Sequence, residues 1–335
     1  MKTYPSFHNV SRTSLGATLA VLLLGTLLTG AAHAQIFQLY VDSAEGGHKL
    51  GAYTVDASNG SVSASNSSFI SSLNDPYGLA LDSSNNLVIS TLGDSYVAKY
   101  SSVTANTSIA PNPLVTAAAV NVTVSGNVLY VPLRNGNGVG LYNATTGATG
   151  SPAFLSGGTG GAIGTNVDSV SLDPAHDIGY VVSESQGNVY SFTISTNIIN
   201  PTPLISGLST PWDSQYDGAG HLFVSLPLSN QILEYNVSDS SLVMTISNSI
   251  SGAALSGCYD FTLDGAGHIF ISNYTSGVVG EYSAIDGSTI NNSVLSIPNA
   301  MGIVLIPVAV PEPSSMALVG VVALTFGAWK FRRRR

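Results

Sequence analysis

The sequence predicts an all-β chain folded as a six-bladed β-propeller, and three observations carry that expectation. Gly, Ser, Asn, Val, Ile and Tyr are abundant, and no stretch shows the apolar period of an amphipathic helix, so strands and turns must dominate. Short apolar runs recur in a fixed order at a spacing of roughly 45 residues, the period of a propeller blade. The first and last runs of the repeating body are complementary parts of one repeat, which lets a ring of sheets close.

Taken in chain order, Met1 to Arg12 is a short basic stretch, followed by an apolar run from Leu15 to Leu28 and by Ala32-His33-Ala34. Small residues at these two alanine positions suit signal peptidase, so cleavage is expected after Ala34 and the mature chain would begin at Gln35. The segments are a signal peptide over 1–34, a propeller over 35–308 and a sorting segment over 309–335.

The 276 residues from Gln35 to Val310 repeat. The clearest copies begin Pro76-Tyr77-Gly78-Leu79-Ala80-Leu81-Asp82, Pro211-Trp212-Asp213-Ser214-Gln215-Tyr216-Asp217 and Cys258-Tyr259-Asp260-Phe261-Thr262-Leu263-Asp264. Each passes through a turn into an apolar run ending in serine: Leu87 to Ser90, Leu222 to Ser225 and Ile269 to Ser272. An aromatic residue follows in every copy, at Tyr53, Tyr100, Tyr142, Phe192, Tyr235 and Tyr282, at separations of 47, 42, 50, 43 and 47 residues. Each copy is expected to form a four-stranded blade with an inner strand ending in Asp, an apolar second strand, a third strand carrying the aromatic, and a polar outer strand such as Ser61 to Ser68. Second strands read as continuous apolar runs because blades cover both their faces. Asp217-Gly218-Ala219-Gly220 and Asp264-Gly265-Ala266-Gly267 supply the hairpin turns, so His221 and His268 read as turn residues.

Ile36 to Val41 resembles a second strand with no inner strand before it, and Pro298 to Ile306 an inner strand with nothing after it. The two should complete one blade and close the ring.

The motif at Pro76 to Asp82, followed by Leu87 to Ser90, resembles an NHL-type repeat, a six-bladed family related to streptogramin-lyase-like and gluconolactonase-like proteins. Asp213 and Asp260 stand where the usual pattern has Gly, and Thr91, Leu226 and Asn273 replace the acidic residue often found after the second strand. These departures keep the fold and weaken any transfer of activity.

Val310-Pro311-Glu312-Pro313 precedes a 14-residue apolar run, Met316 to Trp329, and then Lys330-Phe331 and Arg332, Arg333, Arg334 and Arg335. This order resembles the PEP-CTERM sorting signal of Gram-negative bacteria. The resemblance implies recognition by a membrane-embedded exosortase, a membrane tether in transit through the hydrophobic helix, delivery to the cell envelope or outside, and a link to extracellular polysaccharide and biofilm.

Charge narrows the function. Only 9% of the chain is charged, and the body holds Lys49, Lys99 and Arg134 against 18 acidic residues. Such a surface does not bind nucleic acid, which needs clustered cations. Cys258 is the single cysteine, so no internal disulfide forms; it reads as a packed thiol. The glycines from Gly157 to Gly164 lack the strand-to-helix setting of a phosphate loop and read as a flexible connection.

In a propeller, the leads into inner strands and the loops leaving second strands gather at one mouth of the channel. Tyr77, Asp168, Trp212, Asp213, Tyr259 and Asp260 are expected there from the leads, with Asp42, Arg134, Glu184 and Asn273 from the loops. Converging carboxylates, Asp213 and Asp260 first, could hold a divalent cation such as calcium; alternatively they bond backbone amides at blade junctions. No complete catalytic constellation is present. The expected function is therefore a non-enzymatic binding or scaffold propeller for a glycan, protein or cation. The alternative is a metal-dependent lactonase- or lyase-like enzyme using some of Asp213, Asp260, Glu184 and Asn273.

Overall fold

A computed structural model describes residues 36–308, apart from 45–47, 58–59, 135–137, 158–162, 165 and 250–251. The signal and sorting segments lie outside the described residues.

Six sheets form the six blades. Blade 1 contains β1 (Ile36–Ser43), β2 (Lys49–Asp56) and β3 (Ser61–Ser71), and blade 2 contains β4 (Pro76–Leu81), β5 (Leu87–Thr91) and β6 (Tyr96–Tyr100). Blade 3 is β7 (Thr123–Ser125), β8 (Val128–Pro132), β9 (Val139–Asn143) and β10 (Thr149–Phe154). The short β11 (Ser156–Gly157) leads to blade 4, which holds β12 (Val167–Asp173), β13 (Ile178–Ser183), β14 (Asn188–Thr193) and β15 (Ile198–Ile199). Blade 5 is β16 (Ser214–Tyr216), β17 (His221–Leu226), β18 (Gln231–Asn236) and β19 (Leu242–Ser247); blade 6 is β20 (Cys258–Leu263), β21 (His268–Asn273), β22 (Val278–Ser283) and β23 (Thr289–Ser296). The last strand, β24 (Ala300–Pro307), pairs antiparallel with β1, setting Val41 opposite Ile303 and Phe37 opposite Pro307. The ring closes as the sequence requires, with the innermost strand of blade 1 supplied by the end of the body.

Two blades depart from four strands. Blade 2 has three, and single bridges from Val97 to Val115 and from Tyr100 to Ser108 stand in for its outer strand. Pro111 and Pro113 lie between those bridges, and a proline has no amide to give to a ladder. In blade 4, β11 adds a fifth strand by pairing parallel with the two-residue β15.

The recurring aromatics all lie on third strands, directly opposite the second strand: Tyr53 faces Leu39, Tyr100 faces Leu87, Tyr235 faces Leu222 and Tyr282 faces Ile269. In three blades the ring also covers a glycine two residues earlier. A Cβ on Gly51, Gly140 or Gly280 would meet Tyr53, Tyr142 or Tyr282 at 2.4, 2.7 and 2.6 Å. Glycine is needed there because the ring occupies the space of a side chain.

Second strands are buried on both faces, as in β5, while Ser61 to Ser68 of β3 is exposed. The core is divided among the junctions, with one apolar cluster between each pair of neighbouring blades. The cluster joining Phe37, Leu39 and Val41 to Phe270 and Val279 exists only because blades 1 and 6 meet. Burying each such side chain contributes about 1.5–3 kcal/mol, so closure is a large part of the stability.

Candidate functional site

The site begins with a bulge. Where inner strands start, the register against the second strand slips: between Pro76 and Gly78 in blade 2, Val167 and Ser169 in blade 4, and Cys258 and Phe261 in blade 6. A bulge places an extra residue and re-aims its side chain, leaving backbone groups that need new partners. The serine ending the apolar run supplies them. Ser90 Oγ accepts the Gly78 amide at 3.0 Å, and Ser225 Oγ accepts that of Asp213 at 2.9 Å while donating to the Tyr259 carbonyl at 2.8 Å. Ser272 Oγ donates to the Asp260 carbonyl at 2.8 Å. In blade 1, Asp42 takes the serine's place, and its Oδ1 accepts the Gly302 amide at 2.9 Å.

The re-aimed residues form a layer across the top of the channel. Tyr77, Val120, Asp168, Trp212, Tyr259 and Met301 occupy matching positions of the six repeats, and all but Asp168 join one apolar plug with Ala44, Leu92 and Tyr274. Trp212 meets Tyr259 edge-on at 4.8 Å between ring centroids, and Tyr259 meets Tyr274 in the same manner at 5.7 Å. The Arg134 guanidinium lies 4.4 Å from the Trp212 ring centroid, a cation–π contact. It also reaches Asp168 at 3.4 Å and Glu184 at 3.7 Å. Above the plug is a cavity of about 270 Å³ lined by Tyr77, Arg134, Glu184, Trp212, Tyr259 and Tyr274.

One residue further along each inner strand lies a polar layer: Gly78, Asn121, Ser169, Asp213, Asp260 and Gly302. Asn121 Nδ2 donates to Asp213 Oδ1 at 2.8 Å, and Asp213 and Asp260 hydrogen-bond each other. Asp260 also accepts the Phe261 amide at 2.7 Å and the Ile303 amide at 3.2 Å. Burial pushes Asp213 up to about 6, and burial with the neighbouring Asp213 charge pushes Asp260 well above the carboxylate range, so the pair shares a proton near neutrality. Burial likewise raises Asp168 to about 8, against the pull of Arg134. Both Asp213 and Asp260 border the channel below the plug, about 370 Å³ in volume, rather than the mouth cavity.

The structure thus gathers Tyr77, Arg134, Glu184, Trp212 and Tyr259 around one cavity, with Asp168 behind Arg134. Asp213 and Asp260 lie one layer lower. Asn273 is buried, accepting the Ser256 amide of the lead into β20 at 2.9 Å and donating to the Ile271 carbonyl of its own strand at 3.2 Å. Among the described residues no group of three or more His, Cys, Asp or Glu side chains could hold a metal ion. The sequence reading missed Tyr274 and Met301. Met301 aligns with Tyr77 and Gly302 with Gly78, so the repeat register pointed to it; Tyr274 follows Asn273 on the same loop. His221 and His268 bond Asp217 and Asp264 of their turns at 3.0 and 2.5 Å, on the opposite face. Burial pushes the Cys258 thiol up to about 12, so it stays protonated and unreactive.

Residues 309–335 match the PEP-CTERM protein-sorting motif. The C-terminus is a PEP-CTERM sorting signal. PEP-CTERM proteins are exported and sorted to the cell surface in Gram-negative bacteria, with exosortase processing. No curated protein matches the chain. Among solved structures, a chain of a nidogen/laminin complex is similar with a TM-score of 0.65 and 11% identity, over 80% of this chain and 98% of that one. A putative 6-phosphogluconolactonase from Bacteroides uniformis has a TM-score of 0.52 and 11% identity, over 81% and 100%. A protein of unknown function from Bacteroides caccae has a TM-score of 0.51 and 12% identity, over 81% and 99%. At such identities the likeness shows the fold of the chain's body and nothing of its chemistry.

Proposed function

We propose that this PEP-CTERM protein is a non-enzymatic binding propeller of the cell envelope or extracellular matrix, and that its mouth holds a saccharide unit of a surface polysaccharide. The observation that carries the reading is the composition of the mouth cavity. Aromatic rings of Tyr77, Tyr259 and Tyr274 border a space of about 270 Å³, close to the lower size of ligand pockets, beside the charged ends of Arg134 and Glu184. Aromatic faces suit the C–H surface of a sugar ring, and the charged groups suit its hydroxyls. Sorting to the cell surface brings the mouth to where such polymers are.

A metal-dependent lactonase or lyase would need several of Asp213, Asp260, Glu184 and Asn273 around one ion. Glu184 borders the mouth, the two aspartates border the channel beneath the plug, and the Asn273 amide oxygen is taken by the Ser256 amide. The geometry favours binding over that chemistry.

The test is affinity electrophoresis of the mature protein through gels containing the producing cells' extracellular polysaccharide. Migration should be retarded, and Tyr274→Ala and Tyr259→Ala should each restore free migration. Unretarded wild-type protein would overturn the reading.

A further inference from the structure

We propose a second ligand site in the groove between blades 4 and 5, on the face opposite the mouth, for an uncharged molecule with an apolar body and one carbonyl-type oxygen that accepts a hydrogen bond from the Tyr180 hydroxyl. The groove has a cavity of about 760 Å³, and Tyr180 of β13 forms part of its wall. Tyr180 is only 1% exposed, yet its hydroxyl has no hydrogen-bond partner among the described residues. Buried polar groups are nearly always satisfied, so each exception calls for a cause.

The repeat supplies an internal comparison. Tyr40 holds the same position in β1 as Tyr180 in β13, and it lines a similar groove of about 630 Å³ between blades 1 and 2. There the chain provides the acceptor, because the Tyr40 hydroxyl donates to the Ser102 carbonyl. Ser102 belongs to the neighbouring blade 2, two residues after Tyr100; the matching residue beside Tyr180 is Val237 of blade 5, which borders the groove, yet the Tyr180 hydroxyl bonds no carbonyl among the described residues. On the blade 4 side, β15 is only Ile198–Ile199, and Ile198 is 51% exposed.

The lining sets the ligand's class. Ile178, Phe192, Ile198, Leu204 and Tyr216 make the walls apolar. Asp173 and His176 stand at the cavity's edge and bond each other at 2.7 Å, and Asp173 also takes a hydrogen bond from Tyr216. An anion would meet the Asp173 charge, and a cation would find that carboxylate already engaged. An uncharged acceptor meets neither obstacle. Burial pushes the Tyr180 hydroxyl up to about 12, so it keeps its proton and can donate.

The test compares benzophenone with diphenylmethane, two apolar molecules of like shape of which only the first carries a carbonyl oxygen. Binding to the mature protein is followed by NMR shifts of the Ile178, Ile198 and Leu204 methyl groups. Benzophenone should bind with a dissociation constant about tenfold lower than diphenylmethane, the worth of one buried hydrogen bond. Tyr180→Phe should erase that preference while still binding diphenylmethane, and should melt no lower than wild type because an orphan hydroxyl has gone. Shifts elsewhere on the molecule, equal binding of the two probes, no binding of either, or a preference that survives Tyr180→Phe would each overturn the proposal.

Discussion

Asp42 accepts the backbone amide of Gly302 through its carboxyl oxygen at 2.9 Å, across 260 residues of chain. The contact joins the first strand of the body to the last. A Cβ on Gly302 would lie 2.5 Å from Asp42 Oδ2 and 2.7 Å from the Tyr77 carbonyl, one of which is backbone and cannot yield. Gly302→Ala is therefore expected to destabilise by about 3 kcal/mol. Asp42→Ala, which leaves the buried amide without an acceptor, should cost about 1–3 kcal/mol. Asp42→Asn keeps an acceptor and should cost less. Urea unfolding of the three variants checks the order.

The serines at the ends of second strands form a comparable set. Ser225→Ala removes the acceptor of the Asp213 amide and the donor to the Tyr259 carbonyl at once. A loss of about 2 kcal/mol in thermal or urea unfolding is expected. An exposed serine such as Ser63, on the outer strand of blade 1, should change stability by less than about 0.5 kcal/mol when replaced by alanine. Equal effects at the two positions would contradict the satisfied-bulge account.

The ring was legible because its signals are local and repeated. The aromatic of each third strand, the apolar second strand and the serine after it recur at a blade's length, and the unpaired halves at Ile36 and Ile306 required closure. The thin outer parts of blades 2 and 4 were not legible, because an outer strand makes few demands on its sequence. At the mouth, Tyr77, Trp212 and Tyr259 could be placed from the register. The one-residue step that sends Asp213 and Asp260 into the lower layer could not, because it depends on a bulge whose extra residue has no signature of its own. The same bulge gives the serines their function.

Stability should fall as pH rises through neutrality. Burial raises Asp213 to about 6, Glu281 to about 7 and Asp168 to about 8, each from an unfolded value near 4. A folded state that holds protons more tightly than the unfolded one has its full advantage below that unfolded value and loses it as pH climbs through the raised values. The exposed Asp286, lowered to about 2 by Ser288 and Ser283, acts in the opposite sense only in acid below about pH 4. The melting temperature is expected to fall between about pH 5 and pH 8.5. Asp260→Asn should flatten the curve, since the amide keeps a partner for Asp213 without a proton to lose. A melting temperature that rises over this range would contradict the shared-proton reading.

The tail makes a separate expectation. Replacing Pro311, Glu312 and Pro313 by alanine removes the short motif but leaves the apolar run and the arginines. Full-length chain should then accumulate in the membrane fraction, whereas the wild-type protein should reach the surface without Arg332 to Arg335. Mass spectrometry of both fractions reads the termini directly, with Gln35 expected as the first residue.

The plug, the shared proton beneath it and the mouth above all depend on β24 lying against β1. Native-state hydrogen exchange measures that pairing residue by residue. The amides of Ile303 to Ile306 are expected to exchange as slowly as those of Phe37 to Val41, and Gly302→Ala should speed both groups together. Exchange of Ile303 to Ile306 at the rate of an unstructured tail, with Phe37 to Val41 still protected, would contradict closure of the ring.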